Sequence, residues 1–458
     1  MYTLSVFTNI GVEYPHMSPR TPSNILTAIL LAFIIISPVR GALIKPSADS
    51  VANALGYRTI SATIADINQG EATVGLTLSH VTLDDTPKVD KILVNAPRYP
   101  DSQIGAQVRF NCTLEAPAMI DSFDYPTYLA IRGTYAVCSV AESPFIIGQS
   151  NPSLGLDLAT LRQTIIHVIG THLPSPESTL LAGLLIGRAE FSKLWQARFL
   201  ATGTTHMVAA SGFNITLVIL AVFSLLTYFG LRRQHAFWLL LIAIILYAIL
   251  AGLEPSVVRA ATMGALVLTS KQVGRKTSMR NIVLLAISVM LAVEPRLLLG
   301  DVGFQLSVIS TIALIWLSPH IMKRLTWVPK SLAIRDTFGS TLTATLCTLP
   351  IVILSFGQVS LVGPFVNLLT LPIVELAMLL GLLGTFLATL FSALPLIGYL
   401  LTLPAWALLH TILWVIAAIA SLPFAYLTLP LPSRAVLAII ATLFVLAVCR
   451  TLTKKPSP

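Results

Sequence analysis

Residues 337–433 read TFGSTLTATLCTLPIVILSFGQVSLVGPFVNLLTLPIVELAMLLGLLGTFLATLFSALPLIGYLLTLPAWALLHTILWVIAAIASLPFAYLTLPLPS and carry one formal charge, Glu375. A membrane-spanning helix needs about 20 apolar residues, so this stretch must cross a membrane several times. The whole chain has the same character, because its 458 residues are 55% hydrophobic and only 11% charged. A soluble domain is about 25% charged. This composition excludes a soluble globular protein.

Three further uncharged runs cover residues 21–39, 199–231 and 234–253. Together with the long apolar stretch they predict a polytopic α-helical membrane protein of roughly nine to eleven spans. The number of helices in 357–392 is left open, because the region is too long for one crossing and short for two. The first run is predicted to be a retained anchor, since no clear small-residue cleavage site of a signal peptide follows it.

The basic residues predict the orientation of the chain. Cytoplasmic loops of membrane proteins are enriched in Lys and Arg, so we expect the four basic clusters to lie in the cytoplasm. This places residues 41–206 outside and the C-terminus in the cytoplasm, if Ile25–Val39 crosses from the inside. The net charge of +9 is thereby explained by orientation. The clusters are Arg232 and Arg233; Lys271, Arg275, Lys276 and Arg280; Lys323, Arg324, Lys330 and Arg335; and Arg450, Lys454 and Lys455.

Residues 41–150 have the alternating pattern of short strands separated by turns such as Asp84-Asp85. About five or six strands in this length predict a small external β-barrel or sandwich, and an OB-like barrel is the size match. The predicted strands lie in 57–64, 72–78, 91–95, 107–114 and 129–140. The region contains seven Lys or Arg and 11 Asp or Glu, a net charge of −4. Because domains that bind polyanions by electrostatics are basic, its charge does not support DNA binding.

Two of the four cysteines, Cys112 and Cys138, fall on predicted strands of this domain. Outside the cytoplasm they can form a disulfide, and the alternative is a pair of buried thiols packed as apolar groups. Spacing leaves both open. Cys347 and Cys449 lie in apolar runs and are expected to be inert. Residues 151–206 are predicted to form amphipathic helices along the outer membrane surface.

Several segments resemble, in order, motifs of the ComEC family of competence proteins. The resemblance covers most of residues 41–375 and includes the external domain, which ends at Phe123–Leu129. It implies a polytopic channel domain over 207–458, after residues 1–40 with the first helix, the external domain at 41–150 and the interfacial helices at 151–206. The matching segments are Leu181–Gly187, Thr202–Asn214 (TGTTHMVAASGFN), Pro255–Ala260 (PSVVRA), Asp301–Ser307 (DVGFQLS) and Gly363–Pro372 (GPFVNLLTLP).

The resemblance implies uptake of single-stranded DNA across the bacterial cytoplasmic (inner) membrane during natural transformation. Longer family members carry a metallo-β-lactamase-like domain, but the eight histidines here form no H-x-H-x-D-H cluster. We therefore expect no enzymatic activity, cofactor or metal. A P-loop is also absent from the sequence, so a separate cytoplasmic motor or helicase is expected, with external DNA-receptor proteins. A homo-oligomer is left open. The family's Ser-Gly-Leu-His appears here as Ser211-Gly212-Phe213-Asn214.

Polar side chains in spanning segments usually face a cavity or a partner, which makes them candidates for the DNA path. Asp301 and Gln305 stand four apart and are predicted to share a helix face. Arg259 either meets phosphates or pairs with Asp301 or Glu254, and both roles stay open. Catalysis by Ser211 with His206 is not supported, because a third orienting group is not apparent. The full candidate set is His206, Ser211, Asn214, Glu254, Arg259, Asp301, Gln305 and Asn367.

Three functions remain at this point: a DNA channel, a secondary transporter for a smaller solute, and a non-transporting paralogue of the channel fold. A transporter predicts internal repeats, and we find none in the sequence. The Asn214 replacement and the missing C-terminal domain favour the paralogue. The five ordered motifs favour the channel.

Overall fold

The computed structural model describes residues 24–44, 47, 49–69, 73–97, 103–119, 124–139, 145–149, 154–187, 191–208, 212–231, 233–274, 279–329, 334–391 and 395–453. They divide into two compact units. The sheet unit comprises residues 36–167 and 291–301, and the helical unit comprises residues 1–35, 168–290 and 302–458.

The sheet unit contains seven strands in the order β6-β4-β2-β1-β5-β7, with β3 paired to β2. All pairs are antiparallel except β4 with β6. Alternate residues of the strands, such as Ile60, Leu76 and Ile92, are fully buried and form its core. The strands are β1 Gly56–Gln69, β2 Thr73–Leu83, β3 Thr86–Pro87, β4 Lys91–Pro97, β5 Ala106–Leu114, β6 Thr134–Ser139 and β7 Phe145–Gln149.

A two-residue turn joins β2 to β3. Asp84 and Asp85 both have positive φ, 49° and 65°. Two consecutive residues of this kind are typical of a type I′ turn, whose twist matches that of the flanking strands. The Asp84 carboxylate accepts hydrogen bonds from the backbone N–H of Thr59 and from Arg58, both at 3.1 Å. These bonds lower the pKa of Asp84, with the Thr59 bond as the largest cause.

The described strands form an open sheet, so the predicted closed barrel is wrong and an OB-like fold is not confirmed. Strand β7 pairs with β5 at Ala106–Arg109 and so occupies the outer edge of β5. Among the described residues, strand β6 therefore has one backbone bridge to the β5 side, between Val137 and Glu115 just past the end of β5. The predicted strand at 129–140 is also shorter than expected, because Leu129 belongs to helix α2, Tyr125–Ile131.

The remaining described elements are helices, apart from the short strands β8 (Gln358–Ser360) and β9 (Tyr426–Thr428), which pair antiparallel. The helices are α1 Asn24–Leu43, α3 Leu154–His172, α4 Glu177–Ile186, α5 Lys193–Ala201, α6 Thr205–Val208, α7 Gly212–Tyr228, α8 Arg233–Leu250, α9 Pro255–Gln272, α10 Met279–Val293, α11 Leu297–Gly300, α12 Val302–Trp316, α13 Ser318–Arg324, α14 Ile334–Phe356, α15 Gly363–Leu390, α16 Pro395–Ala420 and α17 Leu431–Thr453.

Within the described residues, four helices are long and apolar enough to cross a membrane: α14 and α15, and most of α16 and α17. Helices α12 and α13 form a fifth candidate, bent by 53°. Other apolar helices are shorter, so the expected roughly nine to eleven spans stay a prediction. The region 357–392, whose helix count was left open, holds β8 and the single helix α15. A polytopic helical membrane protein fits this architecture.

Close packing joins α15 to α16 through small residues, as is common between membrane helices. A Cβ at Gly384 would lie 2.8 Å from the backbone oxygen of Leu401 on α16. Gly381 is covered by the side chain of Leu181 on α4. Helix α4 is buried along most of its length inside the helical unit. The expectation of external interfacial helices at 151–206 stays a prediction.

Candidate functional site

Six of the eight sequence-predicted site residues lie in the described part of the helical unit: His206, Asn214, Glu254, Arg259, Gln305 and Asn367. Ser211 lies outside the described residues. Asp301 belongs to the sheet unit. The six do not form one cluster of mutual hydrogen bonds. Asn214 lies at the end of α4, Arg259 at the α9–α12 contact and Asn367 at the start of α15.

The C-terminal end of α4 is capped by side chains from two other helices. The Asn214 amide donates to the carbonyl of Leu184 at 2.5 Å, and the Tyr247 hydroxyl donates to that of Leu185 at 2.8 Å. Asn214 is only 3% exposed. The last carbonyls of a helix have no partner within it, and in an apolar interior each must be satisfied. Asn214 and Tyr247 supply these bonds and fix the end of the buried helix.

Arg259 joins α9 to α12. Its guanidinium donates to the backbone oxygen of Ser307 and to the hydroxyl of Thr311. The buried Nε has no hydrogen-bond partner. In the described part of the chain Arg259 has no carboxylate partner, so its positive charge is held by neutral oxygens alone.

Asp301 lies in a different setting from the one predicted. Its backbone is extended, at φ −122° and ψ 103°, and α12 begins only at Val302. The expectation that Asp301 and Gln305 share a helix face is therefore wrong. The Asp301 carboxylate accepts from Arg132, beyond α2, at 3.3 Å.

A second ion pair fixes the segment before Asp301 in the sheet unit. Arg296 donates to both oxygens of Glu294 at 2.8 Å, to the Tyr135 hydroxyl at 3.0 Å and to the carbonyl of Ala130 at 3.2 Å. The Glu294 carboxylate is the largest cause of a pKa of Arg296 well above its usual range. Beside this group lies a largely apolar cleft of about 420 Å³, lined by Pro38, Gly41, Pro117, Pro126 and Leu299 among others. The opposite charges of Arg296 and Glu294 neutralise each other.

The start of α15 packs against the corner between α5 and α6. Gly203, at φ +67°, lies close to Ser360 and Gly363, and a Cβ there would lie 3.0 Å from that of Ser360. One turn along α15, Asn367 is 5% exposed, and its Oδ1 has no hydrogen-bond partner. An unpaired buried polar group is costly, so this amide marks a place where water or a ligand is favourable.

Three residues of the set have less defined surroundings. His206 is exposed, with Nδ1 3.2 Å from the carbonyl oxygen of Gly203. Glu254 directly precedes α9 and makes no side-chain capping bond to it. Gln305 is partly buried near the start of α12.

The sequence analysis missed the pair formed by Glu177 and His410, which meet at 2.7 Å. Glu177 is not among the candidate residues, and His410 lies in the long apolar stretch at 337–433. The signal available in the sequence was a single acidic residue at the start of an apolar helix, where burial would require a partner. No group of three or more His, Cys, Asp or Glu suited to a metal occurs among the residues that the structure describes.

Two comparisons with known proteins give matches. The family model described as "Competence protein" matches residues 184–454. Over 285 residues the chain is 28% identical to "ComE operon protein 3" of Bacillus subtilis (strain 168), which covers 60% of this chain and 35% of that protein. The chain thus spans about a third of the length of this curated relative. No solved structure matches.

The matched region contains α5 to α17 and thus Asn214, Arg259 and Asn367, together with the helices that are long enough to span a membrane. It covers more than half of the chain. The chain belongs to the Competence protein family.

Proposed function

We propose that this chain is an inner-membrane channel through which single-stranded DNA enters the cytoplasm during natural transformation. Family membership supports the coarser role in competence and DNA uptake. The apolar helices supply a framework that crosses the bilayer. The finer role of a DNA path rests on Arg259.

Arg259 is the observation that carries the proposal. Its positive charge lies in the helical unit without a carboxylate, and its neutral partners leave that charge uncompensated. Moving a phosphodiester past this position would bring one negative charge to a guanidinium that binds phosphate well. A pore for a polyanion needs such a group, whereas a structural ion pair would already be neutralised.

The contact of Arg259 with α12 also holds the side chain in place. The carbonyl of Ser307 accepts from Arg259 and also from the hydroxyl of Thr311, at 2.8 Å. A guanidinium has five N–H donors, so these two partners leave donors for an anion. Arg259 is thereby fixed on α12 before a phosphate arrives, and little side-chain entropy is lost on binding.

Asn367 supports a polar route at the start of α15. The Oδ1 of its amide is buried and has no hydrogen-bond partner, and helical side chains are directed toward the preceding turn of the helix. Ser360, whose buried hydroxyl also has no partner, lies beside Gly363 at that turn. We assign these groups to the hydrated wall of the same path.

Transport needs a source of energy and delivery of the DNA to the membrane, and we assign both to other proteins. We propose a separate cytoplasmic motor or helicase as the source of energy, and external DNA-receptor proteins that deliver the substrate. The strands of the sheet unit are placed outside the cytoplasmic membrane and the C-terminus in the cytoplasm, as the basic clusters predict.

The test is the entry of labelled double-stranded DNA into a protected cytoplasmic pool, in a strain deleted for the gene and complemented with variants. Arg259→Gln is expected to reduce entry about ten- to hundredfold, because a hydrogen bond to a charged group contributes about 1.5–3 kcal/mol. Arg259→Lys should retain part of the activity, since it keeps the charge. Arg450→Gln, which removes an exposed charge at the end of α17, is the matched control.

Each result bears on the proposal. Normal entry with Arg259→Gln present in the membrane at the wild-type level would refute the phosphate contact. Loss of the Arg259→Gln protein from the membrane would assign the charge to folding instead. If deletion of the gene leaves DNA entry unchanged, the channel proposal itself fails. The hypothesis of a non-transporting paralogue or of a solute transporter would then replace it.

A further inference from the structure

Helix α5 buries its apolar side chains in the helical unit and leaves a polar side exposed. Phe199 is only 1% exposed, whereas Lys193, Gln196 and Ala197 are exposed. Leu194 is the one large apolar side chain of this fully described helix that is exposed. The exposed side of α5 therefore differs from the apolar sides of the long helices.

Three aromatic rings support a cation at the border of that side. The ring centroids of Phe191 and Phe199 are 4.8 Å apart, and the centroid of Trp195 is 6.1 Å from that of Phe199. The guanidinium carbon of Arg198 lies over the Trp195 ring, 4.7 Å from its centroid. A cation within about 6 Å of an indole face is attracted by the ring. Arg198 is thus held in place before a ligand binds, and little side-chain entropy is lost on binding.

Lys193 and Arg198 make this part of α5 positively charged. Among the described residues neither has a carboxylate within ion-pair distance. Residues 191–253 contain no Asp or Glu, and neither β8, against which α5 packs, nor β9 contains one. Arg188 and Glu190 precede the helix, lie outside the described residues and have opposite charges. Two cations without a counter-charge attract an anionic partner.

Helix α5 ends beside the polar groups at the start of α15. Gly203, two residues after the end of α5, lies close to Ser360 and Gly363. Arg198 precedes Gly203 by five residues, so the two lie within about 18 Å of each other. Because Ser360 and Asn367 are assigned to the wall of the DNA path, α5 borders that path near its start.

The composition of this surface favours a polyanion in water over lipid headgroups. A helix that lies in the membrane interface buries a continuous apolar side among the acyl chains. On α5 the exposed apolar contribution is Leu194 alone. Single-stranded DNA offers phosphates to cations, and its bare bases stack on aromatic rings and on the guanidinium plane of arginine. Lys193 and the Arg198–Trp195 pair match both features.

We propose, on the basis of the proposed channel, that Lys193, Trp195 and Arg198 form a loading surface for single-stranded DNA at the outer end of the DNA path. Lys193 and Arg198 bind phosphates, and a base stacks on the guanidinium plane. Trp195 is a positioning residue, because it holds this plane from below. The strand then passes the corner at Gly203 toward Asn367.

The experiment measures the binding of fluorescein-labelled oligothymidylate to the full chain in phosphatidylcholine nanodiscs, by fluorescence anisotropy over a series of salt concentrations. Arg198→Gln is expected to weaken binding about fivefold or more, because a phosphate contact and a stacking surface are lost. Lys193→Gln should make the slope of log affinity against log salt less steep by about 0.7, which corresponds to one phosphate contact on a single strand.

The matched control is Lys91→Gln, which removes an exposed lysine of the sheet unit. This variant should keep both the affinity and the slope. Lys193 is exposed, so its replacement leaves the core of the helical unit intact. Unchanged affinity in Arg198→Gln together with an unchanged slope in Lys193→Gln would overturn the loading surface.

A second measurement identifies the occupant without changing the charges of α5. A photocrosslinking amino acid is introduced at position 197, where the native alanine is exposed. In nanodiscs that also contain phosphatidylglycerol, we expect cross-linking to the labelled oligothymidylate. Capture of lipid alone would overturn the proposal and assign the two cations to lipid headgroups.

Failure of this proposal differs from failure of the channel proposal. Full DNA entry with the double variant Lys193→Gln and Arg198→Gln, in a strain that needs the gene for entry, would overturn the loading surface and leave the channel. Cross-linking of oligothymidylate at position 197, with DNA entry unchanged after deletion of the gene, would support the DNA-binding surface and refute the channel.

Discussion

Removal of the bond between Cys112 and Cys138 should loosen one specific strand of the sheet unit. The structure joins these residues as a disulfide with a sequence separation of 26. For a loop of this length, loss of the constraint on the unfolded chain costs about 3.5 kcal/mol. Both residues are buried, so replacement by alanine adds a small cavity cost. We therefore expect Cys112→Ala with Cys138→Ala to destabilise the sheet unit by about 3–4 kcal/mol.

The loss should concentrate on β6. This strand is held to β4 by a parallel ladder, but besides the disulfide its described backbone link toward β5 is the single bridge between Val137 and Glu115. In native-state hydrogen exchange of the full chain, a loss of about 3.5 kcal/mol corresponds to an increase in the opening of β6 of about two and a half orders of magnitude. The control is Cys347→Ala with Cys449→Ala, which removes the two thiols of the helical unit.

The outcome that refutes this reasoning is unchanged exchange of β6 in the double variant. The same conclusion would follow if a reducing agent opened the bond in the wild type, as shown by mass spectrometry, without a change in exchange. An equal increase over all strands would mean that the sheet opens only as a whole, and the special position of β6 would be wrong.

Three further predictions concern packing and charge. Gly384→Ala should destabilise the helical unit by about 1–3 kcal/mol in thermal unfolding, because the backbone oxygen of Leu401 leaves no space for a Cβ. Asp84→Asn should abolish an acid-sensitive part of the stability of the sheet unit: since the folded pKa is lowered, that part is present above the ordinary pKa of 3.8 and is lost as pH falls through the lowered pKa. Arg296→Lys should cost about 1–2 kcal/mol in chemical unfolding, since lysine cannot donate to two oxygens of Glu294 in the same geometry.

The features that the sequence predicts well are those encoded locally. A long uncharged stretch has to form membrane helices, because unpaired backbone groups in a bilayer are too costly. The Asp84-Asp85 turn follows from the tolerance of aspartate for positive φ. Both are decided by residues within a few positions of each other. The parallel pairing of β4 with β6 and the position of β7 on the edge of β5 depend on partners far away in the chain, and the predicted barrel was wrong for that reason.

The same distinction applies to the candidate site. Asn214, Arg259 and Asn367 were chosen because they are polar residues within apolar runs. A residue of this kind can be recognised from the sequence without knowing its partner. Their partners were not predictable. Arg259 bonds to oxygens 48 and 52 residues away, and Glu177 meets His410 across 233 residues. A single sequence without contacts cannot match a buried acid to its base.

The amide of Asn214 also bears on the hypothesis that this chain is a non-transporting paralogue. That hypothesis was favoured because Asn214 stands where the ComEC family, which this chain resembles, has the histidine of Ser-Gly-Leu-His. In the structure the side chain at 214 donates one hydrogen bond to the carbonyl of Leu184 at the end of α4. A neutral imidazole also has one N–H donor, so the replacement preserves the bond that closes this helix. A leucine there would leave the carbonyl unpaired in the interior. The departure from the family pattern is therefore compatible with an intact helical unit, and it carries little weight against transport.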